Sequence, residues 1–286
     1  MPIEGECFYE DYTGGAGIRY KIDKLIFSGK TEFQEVVIFS NEFAGKVLVL
    51  DGVVQATTAD EFIYHEMLTH LPVFALGDVR KLLIVGGGDG GMLREALCHP
   101  RIEPTLIDID GELVVLCKEH LPEIGQGAFD DPRANYFIGD GFAYVKGSLE
   151  TFDLIIVDST DPHGGPGDVL YSTAFFEACK NRLRPGGVVV IQSGVPFFEK
   201  KRVRDLRKTL GAVFADMRLY IAPVPTYFGG GFSFGWGCDD PKVHQTPVAE
   251  VEKRFRESNI KTKYYTPDMQ ASAFSLPQFT LDLLGD

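Results

Sequence analysis

One sequence feature constrains the fold more than any other: a glycine run that directly follows a short apolar segment. Residues 81–85, Lys-Leu-Leu-Ile-Val, are predicted to form a buried strand, and residues 86–91, Gly-Gly-Gly-Asp-Gly-Gly, precede a helical pattern that continues to Cys98. The glycines at 86, 88 and 91 match the GxGxxG pattern of nucleotide-binding strand–turn–helix units. That pattern occurs with nicotinamide, flavin and S-adenosyl ligands, and glycines also serve in simple tight turns, so the ligand class stays open at this point.

Apolar strands and helical segments alternate after this motif. Further strands are predicted at residues 105–107, 135–138, 152–157 and 188–191, and helices at residues 111–121 and 175–183. Because continuously apolar strands need cover on both faces, the pattern predicts a parallel sheet between two layers of helices. A last helix is predicted to begin at Thr246-Pro247, with Thr as the N-cap and Pro in the first turn.

The first part of the chain is instead rich in β-branched and aromatic residues. Strands are predicted at 18–27, 33–39 and 46–50, and Asp51-Gly52 is predicted to be the two-residue turn of a hairpin that returns through 53–55. Thr58 and Glu61 match a capping box, which predicts a helix from Asp60 to Leu71 that Pro72 ends. We therefore divide the chain into an N-terminal β-strand domain with its linking helix, residues 1–72, and a Rossmann-like catalytic domain, residues 73–286.

Composition excludes several classes of protein. A chain of 286 residues that is 44% hydrophobic can fill a core, so intrinsic disorder is excluded. The formal net charge of −13 argues against nucleic acid as a partner. Neither a membrane span nor a secretory signal is predicted, since no apolar run approaches about 18 residues and the first eleven residues are acidic. The five scattered cysteines indicate a reducing, cytoplasmic location.

Two other patterns, a pair of histidines and a basic run, could suggest a function, but we predict no functional role for them. His65 and His70 lie five residues apart, whereas a helical HExxH zinc motif needs a spacing of four, so no metal site is predicted. The basic run at residues 200–204, together with Arg207 and Lys208, has helical spacing and is predicted to be a solvent-exposed helix face.

Acidic residues follow the predicted strands at the edge where open α/β sheets bind ligands. Asp89, in the glycine loop, would repel a pyrophosphate and attract a cationic sulfonium or its amine. Asp108 ends the second strand of the alternating part, where an acid can bind ribose hydroxyls, while Asp110 suits the cap of the next helix. The turn Asp140-Gly141 follows the third strand, where it can contact an adenine amino group.

Two carboxylates, Asp158 and Asp161, follow the fourth strand. Such a pair can bind a diamine, and a general base is needed because an alkyl amine arrives protonated and cannot attack. An Asx turn before Pro162 is the alternative interpretation for one of the two acids. Glycine-rich stretches at 163–168 and 225–231 are predicted to close over the site.

Together these segments resemble the bacterial members of the spermidine synthase family, the polyamine aminopropyltransferases. The resemblance extends from about Glu32 to Gln278. It rests on residues 50–55, 60–66, 86–91, 139–141, 158–162, 225–227 and 276–278. It implies transfer of the aminopropyl group of decarboxylated S-adenosylmethionine to putrescine, giving spermidine and methylthioadenosine. The implied fold is α/β, a methyltransferase-like Rossmann fold with a small N-terminal all-β domain, in a homodimer or homotetramer. Neither a metal nor a cofactor is expected beside the donor, which is a co-substrate.

The resemblance also implies roles for individual residues. The donor would be held by Gln34, Gln55, Asp89, Asp108, Asp140, Gly141 and Pro166. The polyamine would contact Tyr64, His65, Asp89, Asp158, Ser159, Thr160, Asp161 and Tyr227, with Asp158 as the general base. The chain departs from the family pattern at Asp108 and Asp168, where Glu is usual. Near the C-terminus, Tyr265-Thr266-Pro267 and Gln270 replace the more usual Asn and His. The chain also has one extra residue in the lid at 163–166, which leaves the acceptor open.

The residues leave other functions open. An S-adenosylmethionine-dependent amine N-methyltransferase would use the same scaffold, and an aminopropyltransferase for another amine, such as agmatine, would use nearly the same site. A Rossmann oxidoreductase is disfavoured by Asp89. A non-enzymatic polyamine or nucleoside sensor would bind without turnover and would not need a base at Asp158.

Overall fold

The computed structural model describes residues 7–12, 15–161 and 165–285, without the side chain of Pro166. The first strands are β1 (Cys7–Asp11), β2 (Gly17–Lys21), β3 (Lys24–Lys30), β4 (Glu35–Asn41), β5 (Gly45–Leu50) and β6 (Val53–Thr57). Strands β1 and β2 form an antiparallel pair, and β3 to β6 form a four-stranded antiparallel sheet in sequence order.

The N-terminal predictions hold in part. The hairpin at Asp51-Gly52 is confirmed, since these residues have φ angles of 47° and 82° and Leu50 pairs with Val53. The single strand predicted over 18–27 is wrong, because it is two strands in different sheets. The chain changes sheet at Asp23, whose carboxylate accepts hydrogen bonds from Lys21 and from the Glu42 backbone.

Helix α1 (Glu61–Leu76) links the N-terminal strands to the rest of the chain. The prediction that Pro72 ends it is wrong, because Pro72 lies inside a helix that is buried on nearly every side. Tertiary packing outweighs the one backbone hydrogen bond that proline removes. The predicted capping box is also wrong: Asp60 takes the N-cap position, and the Thr58 hydroxyl accepts from the Lys46 backbone instead. The predicted division of the chain at residue 72 falls within this helix and stays a prediction.

The large sheet contains the strands that the alternating pattern predicts and two more. They are β7 (Lys81–Gly86), β8 (Glu103–Asp108), β9 (Asn135–Ile138), β10 (Phe152–Asp158), β11 (Leu183–Gly194), β12 (Asp216–Pro223) and β13 (Gly231–Cys238). Their order is β12-β13-β11-β10-β7-β8-β9, with parallel pairing from β11 to β9. The predicted parallel pairing is confirmed for the strands that the pattern names. Strand β13, which the pattern does not predict, runs antiparallel to both neighbours because a short loop joins it to β12 without a crossover.

Helices cover both faces of this sheet. The remaining helices are α2 (Gly91–Leu97), α3 (Gly111–His120), α4 (Pro122–Gly125), α5 (Gly141–Gly147), α6 (Thr173–Arg182), α7 (Lys200–Gly211), α8 (Val248–Ser258), α9 (Pro267–Ser272) and α10 (Gln278–Leu284). Short 3₁₀ helices lie at Ala128–Asp130 and Pro166–Tyr171. Along β7, Leu82 and Ile84 pack in the core that contains α1, whereas Leu83 and Val85 pack in the core that contains α6 and α7. This alternation confirms the predicted methyltransferase-like Rossmann arrangement.

The C-terminal prediction needs a correction. Helix α8 begins at Val248 as expected, but the Thr246 hydroxyl donates to the backbone oxygen of Ala75 and does not cap the helix. Two further short helices, α9 and α10, follow it, so α8 is not the last. Among the helices of the described ranges, none has the length and apolar character that crossing a bilayer requires.

Candidate active site

The strand order reverses between β7 and β10, which are neighbours at the centre of the large sheet. A cavity of about 950 Å³ opens at their carboxyl ends, where open α/β sheets bind ligands. Its lining includes Gln34, Gln55, Tyr64, His65, Asp89, Asp108, Asp140, Gly141, Asp158, Ser159, Thr160, Asp161 and Tyr227. These are all the predicted site residues except Pro166, whose side chain lies outside the described residues. The predicted lid at 163–168 also lies partly outside them.

The glycine loop lies directly against the ends of two strands. A Cβ atom on Gly86, which has a φ of 88°, would lie 2.0 Å from the backbone oxygen of Asp158. A Cβ atom on Gly88 would lie 2.9 Å from Oδ2 of Asp108. At Gly86 only glycine allows this approach, because the close contact is with backbone and φ is positive. The loop brings Asp89 to the same cavity as the acids that end β8 and β10.

A buried ionic network holds Asp89 in place. His65 Nδ1 lies 2.5 Å from Glu61 Oε2, and His65 Nε2 lies 3.4 Å from Asp89 Oδ2. Burial opposes protonation of the imidazole, but the carboxylates of Asp89 and Glu61 outweigh it and raise the pKa of His65 to about 10. Arg94 donates to both oxygens of Glu61 at 3.0 and 2.9 Å and orients that carboxylate. Sequence reasoning missed this pairing of Glu61 with Arg94, because the two residues lie 33 positions apart on different helices.

Asp158 lies beside this network at the end of β10. The Tyr64 hydroxyl donates to Asp158 Oδ1 at 2.6 Å. Burial, reinforced by the negative charge of Asp89, raises the pKa of Asp158 to about 6, although the charge of His65 and the Tyr64 hydrogen bond oppose the shift. The carboxylate is therefore ionised at neutral pH and yet binds a proton more strongly than an exposed aspartate, as a general base requires.

The side chains of His65, Asp89 and Asp158 lie close together in the cavity. Their nearest ligand atoms all lie within 4.8 Å of one another. A protonated imidazole has no lone pair to offer a metal ion. Because the raised pKa keeps His65 protonated at neutral pH, the carboxylates of Asp89 and Asp158 are the members of this group that can accept from the ammonium of an amine ligand.

The end of strand β8 contacts the loop between β3 and β4 of the N-terminal sheet. The Asp108 carboxylate accepts from the Asp110 backbone at 2.8 Å, and burial raises the pKa of Asp108 to about 6. Asp110 caps α3, as predicted, by accepting from the backbone N–H of Leu113. The Gln34 amide donates to Asp110 Oδ2 at 2.8 Å, so Gln34 lies beside the proposed ribose acid and bonds to its neighbour.

The third strand end forms a tight turn into α5. Asp140 caps this helix by accepting from the Ala143 backbone at 3.0 Å. Gly141 packs so closely that a Cβ atom there would lie 2.5 Å from a methyl carbon of Val85.

The opposite wall comes from the loop between β12 and β13. The Tyr227 hydroxyl donates to the Gln55 backbone oxygen at 2.7 Å, and its ring lies 4.4 Å from the ring of Phe232. The Gln55 amide donates to its own strand at Val53, 3.3 Å away. Asp60 anchors the loop by accepting from the Thr226 backbone at 2.6 Å. These contacts place an aromatic surface facing the acids.

Asp161 does not stand alone at the end of β10. Its Oδ1 lies 2.6 Å from Arg202 Nη1 and 2.9 Å from Gln192 Nε2, and Gln192 also donates to the backbone oxygen of Ser159. The prediction of a solvent-exposed basic face is therefore wrong at Arg202, whose side chain is only 8% exposed. Because Asp161 lines the cavity, its ion pair with Arg202 places the guanidinium against the cavity wall.

The N-terminal strand contributes residues that sequence reasoning missed. Glu10 and Tyr12 line the cavity. Glu10 accepts from the Val54 backbone at 3.0 Å, and burial raises the pKa of Glu10. No local pattern signals this role, because only the tertiary fold brings residues 7–12 to the ends of strands more than a hundred residues away.

The fold is that of a methyltransferase-like Rossmann protein, as the strand order and the single antiparallel strand β13 show. The acidic pocket where the strand order reverses provides a site for a cationic ligand.

Comparison with known proteins identifies the family. The model described as spermine/spermidine synthase domain matches residues 61–247, and the spermidine synthase tetramerisation domain matches residues 7–58. The chain is 48% identical over 281 residues to polyamine aminopropyltransferase 1 of Pseudomonas aeruginosa, covering 98% of this chain and 96% of that protein. It is 46% identical to the polyamine aminopropyltransferase of Pseudomonas syringae pv. tomato, covering 96% and 95%.

Solved structures agree with this assignment. A spermidine synthase in complex with the transition state analogue AdoDATO matches with a TM-score of 0.92 at 35% identity, covering 100% of this chain and 97% of that one. The spermidine synthase of Thermotoga maritima matches with a TM-score of 0.89 at 33% identity, covering 100% and 96%. The chain therefore belongs to the spermine/spermidine synthase family and is a polyamine aminopropyltransferase, which confirms the prediction from the resemblance.

Proposed function

We propose that this enzyme transfers the aminopropyl group of decarboxylated S-adenosylmethionine to putrescine, giving spermidine and methylthioadenosine. The observation that carries the proposal is the position of Asp158 beside Asp89 and His65, in a cavity formed by the glycine loop. The spermidine synthase that binds AdoDATO, which is 35% identical to this chain, supports the same donor and acceptor classes.

The charge of the cavity supports a decarboxylated donor. Among the described residues that line it there are many acids, and neither a lysine nor an arginine. The cationic side chain nearest to Asp89 in this lining is His65, which is already engaged by the carboxylates of Glu61 and Asp89. The α-carboxylate of intact S-adenosylmethionine would therefore face Asp89 without a lysine or arginine to receive it, whereas the decarboxylated donor presents only an ammonium. Asp108 and Gln34 would hold the ribose, Asp140, Gly141 and Pro166 the adenine, and Asp89 with Gln55 the amine.

The acceptor chemistry follows from Asp158. Putrescine arrives protonated, Asp158 removes one proton, and the freed nitrogen attacks the propyl carbon bonded to sulfur. The new C–N bond forms as the C–S bond breaks, and the sulfur takes the electron pair as a neutral thioether. This leaving group needs no acid. The acceptor would lie along Tyr64, Tyr227 and Asp161, with Ser159 and Thr160 beside it, and the aromatic walls would exclude water.

The assembly and location are also proposals. The match of residues 7–58 to a tetramerisation domain supports a homotetramer, with a homodimer as the smaller alternative. The five cysteines are free thiols, which supports a reducing cytoplasm. We propose neither nucleic acid nor membrane as a partner, and no resident metal or cofactor.

The donor is tested by calorimetry with the decarboxylated and the intact forms, followed by product identification with putrescine as acceptor. We expect tight binding and spermidine formation with the decarboxylated donor only. N-methylputrescine from the intact donor would overturn the proposal in favour of an amine methyltransferase. A steady-state screen of putrescine, cadaverine, agmatine and spermidine tests the acceptor, and a higher kcat/KM for any of the other three would overturn putrescine.

A further inference from the structure

A second set of acids lines the cavity, and we call Glu10, Asp161 and Glu199 the distal acids. The charges that act on Glu10 are those of Asp161 and Glu199. Those that act on Asp158 come instead from Asp89, His65 and Asp108. The contacts divide these acids in the same way, since Asp161 and Glu199 share Arg202, whereas Asp158 accepts from Tyr64.

Arg202 lies directly behind the distal acids and does not line the cavity itself. Its Nη1 atom lies 2.6 Å from Asp161 Oδ1 and 2.9 Å from Glu199 Oε1. Its Nη2 atom donates to Gln192 Oε1 and, at 3.2 Å, to the Tyr171 hydroxyl. One buried guanidinium thus joins two distal acids.

The backbone keeps this group in one arrangement. Glu199 Oε2 accepts from the Val195 backbone at 2.7 Å. Gly194 has a φ of 76°, and a Cβ atom there would lie 2.1 Å from Glu199 Oε2 and 3.0 Å from Arg202 Nη1. The positive φ favours glycine at this position, and the carboxylate and the guanidinium occupy the space that a side chain would take.

We propose that Arg202 is a positioning residue that sets acceptor specificity, by compensating one negative charge among the distal acids and so favouring diamines over triamines. The inference rests on the proposed function. An acceptor diamine has one ammonium beyond its reacting nitrogen, and a triamine has two. When all are ionised, the three distal acids and the guanidinium of Arg202 carry a net charge of −2. Without Arg202 the net charge is −3. The extra negative charge left by removal of Arg202 attracts each ammonium group of the acceptor. A triamine has one more such group than a diamine, so removal of Arg202 should increase the affinity for the triamine more than that for the diamine.

The test compares the Arg202→Met, Arg202→Lys and Arg204→Met variants with the wild type. Arg204 is an exposed arginine on the same helix and serves as the matched control. We expect Arg202→Met to raise the ratio of kcat/KM for spermidine to that for putrescine by roughly tenfold, through KM more than kcat, which corresponds to about 1.4 kcal/mol. Arg202→Lys retains the charge and should keep the wild-type ratio, as should Arg204→Met.

An unchanged ratio in a folded Arg202→Met protein would overturn the proposal, and so would a fall in kcat with both amines at constant KM. If Arg202→Met does not fold, Glu199→Gln provides the opposite test, since it removes one distal acid and should lower the ratio; an unchanged ratio there also overturns the proposal. Absence of spermidine formation by the wild type would refute the proposed function alone. Calorimetric affinities of the variants for the two amines would then still decide the role of Arg202.

Discussion

The Tyr64 hydroxyl donates a 2.6 Å hydrogen bond to Oδ1 of Asp158, and so joins helix α1 to the last residue of β10. The two residues are 94 positions apart in the chain. The bond occupies Oδ1 and restrains the rotation of the carboxylate, so that the direction of Oδ2 is also restrained. The proposed base is thereby oriented by a residue of the linking helix, while Asp89 and burial set its proton affinity.

The first prediction concerns the base itself. Asp158→Asn keeps the shape of the side chain and can still accept from Tyr64, but it cannot take a proton. We expect kcat to fall by roughly 10²–10⁴ with donor affinity largely retained. Steady-state kinetics with calorimetry of the donor measures both. Turnover near that of the wild type would assign the base elsewhere, and Asp161→Asn is the variant to compare.

The second prediction concerns pH. Because burial and Asp89 raise the pKa of Asp158 to about 6, kcat/KM should rise with pH through about 6 as the carboxylate ionises. The Tyr64 hydrogen bond stabilises the ionised form, so Tyr64→Phe should move this inflection to higher pH. Profiles of kcat/KM for the two proteins between pH 5 and pH 9 test this. An inflection at the same pH in both would show that Asp158 is not the titrating group.

The third prediction concerns stability. The pKa of Asp158 is about 6 in the folded protein, above the ordinary aspartate value of 3.8. The carboxylate therefore destabilises the folded protein increasingly as pH rises from about 4 to 6. Above pH 6 the free energy of unfolding is reduced by the full amount, which is at most about 3 kcal/mol from the difference between the two pKa values. Asp158→Asn should therefore melt several degrees above the wild type at pH 7.5, and the difference should shrink towards pH 4. A lower Tm for the variant at pH 7.5 would contradict the unfavourable burial of this charge.

The fourth prediction concerns the choice of donor. An anion 4 Å from Asp89 is repelled by about 4 kcal/mol at an effective dielectric constant near 20, and water reduces this figure. Asp89→Asn should therefore narrow the affinity gap between decarboxylated and intact S-adenosylmethionine by at least tenfold, with the larger loss on the decarboxylated donor. Calorimetry with both donors measures the gap. If the gap does not change, Asp89 is not the discriminating charge.

Local patterns were sufficient to predict the elements that carry the site. The glycine loop, the apolar strands and the acids that follow them are signals over a few residues, because a parallel strand that is covered on both faces must be apolar and its end must turn. For this reason Asp89, Asp108, Asp140 and Asp158 could be assigned to one edge before the topology was known, and the family resemblance added Gln34, Gln55 and Tyr227.

Local patterns failed where burial by distant residues decides the outcome. Pro72 continues a helix because α1 is packed on nearly every side, and β13 runs antiparallel because a loop returns the chain directly. Arg202 has the composition of a surface residue, yet Asp161 and Glu199 compensate its charge inside the protein.

The sequence by itself determined the fold class and the edge of the sheet at which the chemistry takes place, since both follow from periodicity and from the residues at strand ends. Only the tertiary structure decided the electrostatics of the site. Against the effect of burial, the carboxylates of Asp89 and Glu61 raise the pKa of His65, while burial and Asp89 raise the pKa of Asp158. The Arg202 that pairs with Asp161 comes from a helix about forty residues further along the chain. Charge interactions depend on distance and on the exclusion of water, and neither is encoded in the order of neighbouring residues.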